Sequence, residues 1–333
     1  MTVTGGEIVE CAEAVECEIP WCERRGVTER RADRVRELRL RSPEAVAQAA
    51  QRARRPIVQG DGKLFLLAAD HPARGALAVG DRPMAMADRN DLLDRLCEAL
   101  ALPGVDGVLA TPDIVEDLLL LGALDGKVVV GSMNRGGLRG SVFEIDDRFT
   151  AFDPATIARM GLDGGKMLCR IAPDDPATAG TLEACGRAVT ELAALGRMAM
   201  IEPFWATHDR PGHVRNEYTT ELVVRSVTVT SALGTTSAYT WLKLPVIEEM
   251  EQVLAATTLP VVVLGGDGGN GPKGGAQEAM ASFERVLGLP GVRGVAAGRR
   301  LLYPEDDDVA AAVNEVVRML GRSDQVPASL SGS

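Results

Sequence analysis

Eight short apolar runs constrain this chain more than any other feature of its sequence. They cover residues 64–71, 107–112, 127–134, 165–170, 198–204, 237–245, 260–267 and 292–299. They are continuous rather than alternating, and most close on polar residues, as in Leu64-Phe65-Leu66-Leu67-Ala68-Ala69-Asp70-His71. Strands covered on both faces read this way, because neither side meets water. Helix-type stretches separate them. Thr111-Pro112-Asp113, Asp153-Pro154 and Asp175-Pro176 each set a capping side chain before a proline, whose missing N–H is harmless in a first turn. Gly161 and Gly196 mark helix ends. Eight such repeats over about 240 residues predict an α/β fold of the closed (β/α)8 TIM-barrel type. An open doubly wound sheet is the alternative. It requires a glycine-rich turn after the first strand, which Ala69-Asp70-His71-Pro72 does not supply.

The barrel is assigned to residues 61–320, with an N-terminal helical extension over 1–60 and a flexible Ser- and Pro-containing tail over 321–333. In the extension, one helix is expected over Val27–Leu40 with Val35, Leu38 and Leu40 as its apolar side. A second starts at Ser42-Pro43-Glu44 and runs to Arg55-Pro56. The arginines there read as a solvated face. A net charge of −11 argues against nucleic acid as a partner, though a local cationic pocket can still hold a small phosphorylated substrate. No apolar run has the length of a membrane span, and the acidic N-terminus lacks the basic start and apolar core of a signal peptide. A cytoplasmic protein is therefore expected. Cys11, Cys17 and Cys22 match no zinc spacing, and Cys97, Cys169 and Cys185 read as small buried apolar residues.

One lysine stands out. In Tyr239-Thr240-Trp241-Leu242-Lys243-Leu244-Pro245 the alternation of a strand puts Tyr239, Trp241 and Lys243 on one face. An ammonium among such residues is costly to desolvate, and burial favours the neutral amine, a nucleophile towards carbonyls. A lysine that snorkels to water from the strand end is the competing reading.

Catalytic groups of a (β/α)8 barrel come from the C-terminal strand ends. There the sequence offers Asp70 and His71; Ser132, Asn134 and Arg135; Lys166 with Arg170 on the same face; Glu202; Lys243; Leu264-Gly265-Gly266-Asp267-Gly268-Gly269; and Gly298-Arg299. Lys166, as a second cation, would depress Lys243 further. Glu202 and Asp70 can move protons to and from sugar hydroxyls. Gly265, Gly266 and Gly298 let backbone N–H groups approach an anion, and Arg299 adds a fork for phosphate. Each also has a structural reading: Asp70 and Glu202 as loop caps, Lys166 paired with Asp163 at the surface, the glycines as a turn, Arg299 in an ion pair. His208 and His213, in a loop with Pro211-Gly212, read as exposed loop residues.

Ala69-Asp70, Gly165-Lys166, Ile201-Glu202-Pro203, Leu242-Lys243-Leu244-Pro245 and Gly298-Arg299 resemble the class I aldolases of the tagatose-1,6-bisphosphate and deoxyribose-phosphate aldolase superfamily. Ala68-Ala69-Asp70-His71, Met133-Asn134-Arg135-Gly136-Gly137, Asp163-Gly164-Gly165-Lys166 and Ala238–Lys243 are similar to an actinobacterial (β/α)8 family associated with myo-inositol catabolism. The resemblance implies a Schiff base at Lys243, proton transfer by Glu202, a second active-site lysine at Lys166 and a strand-one aspartate at Asp70. It further implies a phosphate site at Gly298, Arg299 and the glycines after the seventh run. Asn134 and Arg170, polar at the ends of the third and fourth runs, are added as candidate substrate contacts. The implied reaction is cleavage of 2-deoxy-5-keto-gluconate 6-phosphate to dihydroxyacetone phosphate and malonate semialdehyde, with no cofactor or metal. A phosphorylated keto sugar or ketone and an aldehyde are then the partners, and a homo-oligomer is the default of this architecture. Three rivals stay open: a biosynthetic aldolase, a metal-dependent lyase or isomerase using His71, His208 and His213, and a sugar-phosphate-binding barrel without turnover.

Overall fold

The computed structural model describes residues 30–210, 213–265 and 276–326. All eight apolar runs form strands: β1 (Leu64–Ala68), β2 (Gly107–Ala110), β3 (Val128–Ser132), β4 (Gly164–Ile171), β5 (Met198–Arg210), then β7 (Thr240–Leu244), β8 (Val261–Leu264) and β9 (Val292–Ala297). Their parallel ladder runs β1-β2-β3-β4-β5-β7-β8-β9 and returns to β1. Pairing of β4 with β5 from Gly164↔Met198 to Ile171↔Trp205 closes the cylinder and rules out the open sheet. The remaining strand, β6 (His213–Glu217), was not expected. It folds antiparallel onto the outer half of β5, so the loop predicted there is a hairpin.

Helices cover the barrel: α3 (Arg89–Ala101), α4 (Pro112–Leu120), α5 (Pro154–Arg159), α6 (Ala177–Ala194), α7 (Thr220–Ser231), α8 (Met250–Ala255), α9 (Ala276–Leu287), α10 (Arg299–Leu302) and α11 (Val309–Met319), with α1 (Arg31–Arg41) and α2 (Ala45–Ala49) before them. The Asp153 carboxylate accepts from Thr156 N at 2.6 Å and Asp175 from Ala177 N at 2.8 Å. Gly161 and Gly196 both adopt φ +63°, the left-handed geometry that ends a helix. Among the described residues no helix is long and apolar enough to cross a membrane.

Alternation along each strand sorts the core into two layers. Leu64, Leu66, Leu109, Val128, Val130, Met198, Met200, Val262 and Ala296, with Trp241, plug the barrel's interior. Side chains pointing the other way, such as Phe65, Val108, Met167, Ile201 and Leu242, join the strand–helix layer. The next inward positions above the plug belong to Lys166, Glu202 and Lys243. A large apolar floor therefore lies directly beneath the charged groups. Tyr239 departs from the expected face: the strand starts at Thr240, and Tyr239 is exposed at the foot of the barrel.

The extension is more bound and less helical than its sequence suggests. The first helix buries Ala32 and Val35, but Leu40 points into solvent at 78% exposure. The second stops at Ala49, well short of Arg55. Its arginines divide: Arg30, Arg36 and Arg41 form the expected solvated face, with side chains at least 66% exposed, while others reach the barrel. Arg39 reaches Glu116 and Asp117 at 2.9 and 2.8 Å, Arg54 reaches Asp163 at 2.8 Å, and Arg55 reaches Asp106 at 2.9 Å. Asp106 and Asp163 precede β2 and β4 and also accept the backbone N–H groups of Phe65 and Val129. The start of the tail is tied to the same foot, since buried Arg322 pairs with Asp106 at 2.9 Å and with Asp61. Cys169 and Cys185 are buried and Cys97 half-buried, as expected; Cys11, Cys17 and Cys22 lie outside the described residues.

Candidate active site

The C-terminal strand ends surround a cavity of about 500 Å³. Six arginines and two lysines line it against three carboxylates, in a chain whose overall charge is −11. A cationic hollow in an acidic protein concentrates anions locally.

Four side chains at its floor come from four strands or strand ends. Lys243 Nζ donates to Glu202 Oε1 at 2.8 Å, and Lys166 pairs with Glu202 Oε2 on the other side. Lys166 Nζ also donates to Asp70 Oδ2 at 3.0 Å. Arg135 reaches the same Asp70 oxygen at 2.8 Å, and Ser132 Oγ donates to it at 3.1 Å. The side chains of Lys166 and Lys243 are each only 3% exposed. Neither lysine snorkels, and Lys166 does not pair with Asp163, which faces the opposite end of the barrel. Asp70 and Glu202 are likewise not loop caps; each carboxylate bridges buried cations.

These pairings set the protonation states. Burial alone would raise the Asp70 carboxyl, but Arg135 and then Lys166 outweigh it and hold the group well below the usual carboxylate range. Burial opposes ionisation of Glu202 too, and Lys166 with Lys243 reverses the sign, so Glu202 also stays a carboxylate. Burial pulls the Lys166 ammonium below its ordinary value, with Asp70 and Glu202 resisting.

His71 lines the cavity with Nδ1 3.8 Å from Asp70 Oδ1. Burial depresses it to about 3 despite the Asp70 charge. The folded protein therefore holds a neutral imidazole where the unfolded chain binds a proton below about pH 6.5. Stability contributed by this residue is complete above pH 6.5 and is lost as pH falls towards 3, with a slope of at most about 1.4 kcal/mol per pH unit. Urea melts across that window should show the decline, and His71→Asn should flatten it; parallel curves for the two proteins would refute this account.

Gly298 and Arg299 lie where expected, at the end of β9. A Cβ on Gly298 would fall 1.8 Å from the Ala68 carbonyl oxygen, so only glycine fits this seam between β9 and β1. Arg299 lines the cavity, and burial followed by the charge of Arg139 lowers its guanidinium. Gly265 also lines the cavity, whereas Gly266 lies outside the described residues. Arg170 lines the wall but is paired with Glu144 at 2.7 Å. Asn134 does not reach the cavity. Its amide donates to Leu168 O at 2.6 Å and accepts from Leu168 N at 2.8 Å, clamping β3 to β4. This corrects its assignment as a substrate contact.

Arg135, expected at the end of the third strand without an assigned role, is the residue there that reaches Asp70. Arg74, Arg139, Arg215 and Tyr218 had no local signal, being brought in by a loop and by the β5–β6 hairpin. His208 and His213 are hairpin residues. His208 Nε2 lies 2.9 Å from Asp175 Oδ2, and His213 Nδ1 lies 2.5 Å from Asp209 Oδ1. Among the described residues, no three His, Cys, Asp or Glu side chains gather as a metal-ligating group.

The closed (β/α)8 barrel is a fold this protein shares with Schiff-base-forming aldolases of known structure. The chain belongs to the Cgl0159-like family, which it matches over residues 62–317. The crystal structure of Cgl0159 from Corynebacterium glutamicum is similar at 50% identity and a TM-score of 0.84, over 89% of this chain and 99% of that one. An archaeal fructose 1,6-bisphosphate aldolase is similar at 19% identity and a TM-score of 0.55, over 84% and 98% of the two chains. An archaeal fructose-1,6-bisphosphate aldolase with its catalytic lysine covalently bound to the carbinolamine intermediate of the substrate gives 19%, 0.56, 84% and 99%. The archaeal likenesses are ones of fold. No curated protein matches the sequence.

Proposed function

We propose that this protein is a class I aldolase acting on a phosphorylated keto sugar through a Schiff base at Lys243. The observation that carries the reading is the Glu202 carboxylate shared between two buried lysines, Lys243 at 2.8 Å and Lys166 beyond it. The excess of cations around the cavity supports an anionic substrate, and the archaeal aldolases of similar fold act on a phosphorylated sugar.

In this mechanism Lys243 passes a proton towards Glu202 and its amine adds to the substrate ketone. Glu202 returns that proton to the carbinolamine hydroxyl, which leaves as water, and the resulting iminium accepts the electron pair of the breaking C–C bond. Glu202 takes the proton from the β-hydroxyl as that bond breaks, directly or through one water. The aldehyde departs, the enamine is protonated at carbon, and water releases the ketone product and the amine. Lys166 and Asp70 keep Glu202 ionised and oriented. Arg299 and the backbone at Gly298 and Gly265 hold the phosphate, which fixes the carbonyl beside Lys243. Run backwards, the same groups join an enamine to an aldehyde, so the site serves synthesis equally.

The test is borohydride reduction with a panel of phosphorylated and free ketones, including dihydroxyacetone phosphate and 2-deoxy-5-keto-gluconate 6-phosphate. A reduced adduct mapping to Lys243, insensitive to EDTA, is the expected result. Thermal stabilisation by a ketose phosphate with no adduct from any ketone would overturn the reading in favour of a binding protein.

A further inference from the structure

The charge around the cavity does not cancel evenly. Arg135, Lys166 and Lys243 share Asp70 and Glu202, Arg74 is bound to Asp147, Arg170 to Glu144 and Arg215 to Glu217. Arg139 is the exception: its side chain forms no ion pair or hydrogen bond among the described residues, yet it lines the cavity mouth.

Its backbone, by contrast, is firmly held. Arg139 N donates to Arg74 O at 3.0 Å, and the next residue, Gly140, donates its N–H to Glu144 Oε2 at 2.7 Å. Ser141 Oγ closes the turn on Leu138 O at 2.8 Å. The other oxygen of Glu144 meets Arg170 on the cavity wall at 2.7 Å. One buried carboxylate thus fastens the loop after β3 to β4 and presents the arginine at a set position. Arg299 lines the same cavity, and its guanidinium is lowered by burial first and by Arg139 next. An anion bound between the two arginines would offset the repulsion that Arg139 exerts on Arg299.

We propose that Arg139 is a phosphate-binding residue, which holds the phosphate of the ligand together with Arg299. The ligand class is a phosphate monoester on a short carbon chain. As a statement about the substrate it rests on the aldolase reading; as a statement about an anion site it does not.

The experiment therefore has two arms. In the first, adduct formation is titrated with dihydroxyacetone phosphate and with dihydroxyacetone. Arg139→Gln should raise the half-saturating concentration of the phosphorylated ketone about tenfold or more and leave that of the free ketone unchanged. Equal shifts for both ketones, or none, would overturn the assignment. In the second, inorganic phosphate should raise the unfolding temperature of the wild-type protein, and Arg139→Gln and Arg299→Gln should each abolish that rise. A rise retained in Arg139→Gln would overturn the assignment as well. If the wild type forms no adduct but phosphate stabilisation is lost in both variants, the anion site stands and the aldolase reading falls. Glu144→Gln, which loosens the loop while keeping Arg139, should weaken phosphate stabilisation partially.

Discussion

Lys243→Met is expected to lose both the reducible adduct and turnover, the latter by on the order of 10⁵-fold or more, as when the nucleophile of a covalent mechanism is removed. The fold should survive. Methionine is close to lysine in length and would stand above the apolar interior plug that includes Trp241, and Glu202 keeps Lys166 as a buried counter-ion. The instructive comparison is Lys166→Met. Lys166 is held between two carboxylates, Asp70 at 3.0 Å and Glu202, whereas Lys243 has Glu202 alone at 2.8 Å. A carbonyl that reaches the Lys243 amine displaces one carboxylate contact, whereas one that reaches Lys166 displaces two. Lys166→Met should therefore still form the adduct while turnover falls by about 10² to 10³, the usual range for losing a group that tunes proton transfer. Peptide mapping of the reduced wild-type adduct decides the matter. A mark on Lys166 instead would reverse the two roles.

The second large effect is on stability. Asp70→Asn should cost about 3–5 kcal/mol, the range for breaking a buried charge pair from one side. Asp70 Oδ2 takes Lys166, Arg135 and Ser132 together, all buried. Asparagine nearly matches its shape but leaves Lys166 with Glu202 and Arg135 with only the charges of Asp147 and Glu202 to offset its burial. The expected signature is a lower urea midpoint at an unchanged slope. The sign with pH follows from the depressed carboxyl. The stabilisation is present above the ordinary aspartate range and fades only as pH falls through the lower folded value, so wild type and variant should converge in strong acid. A variant as stable as wild type at neutral pH would reduce Asp70 to a loop residue.

Much of the site was legible because strand alternation is local. Once Trp241 and Lys243 are on one face, and Lys166 shares a face with Arg170, an inward lysine on each of two strands follows from period two alone. The barrel contacts of the extension's arginines were not legible. Surface-like composition over residues 30–55 conceals contacts to Asp163 and Asp106, which lie far along the chain. The β5–β6 hairpin was missed for a related reason. His213-Val214-Arg215-Asn216-Glu217 has a single apolar residue, Val214, which packs on the small cluster of Ile145, Ala172 and Ala206, while the strand otherwise lines the cavity. Asn134 misled in the opposite direction. A polar side chain at a strand end looks like a ligand contact, but a neighbouring backbone can use it first.

By itself, the sequence determined the eight-stranded barrel and the presence of amines and carboxylates at its mouth. Buried parallel strands demand unbroken apolar runs, glycine and proline punctuate them, and both signals lie within a few residues. Tertiary structure alone decided who meets whom. Asp70 and Lys166 stand 96 residues apart, and Glu202 and Lys243 stand 41 apart. Only closure of β4 onto β5, and of β9 onto β1, brings these charges within hydrogen-bonding reach. Electrostatic partnership depends on distance through space, which no local pattern encodes.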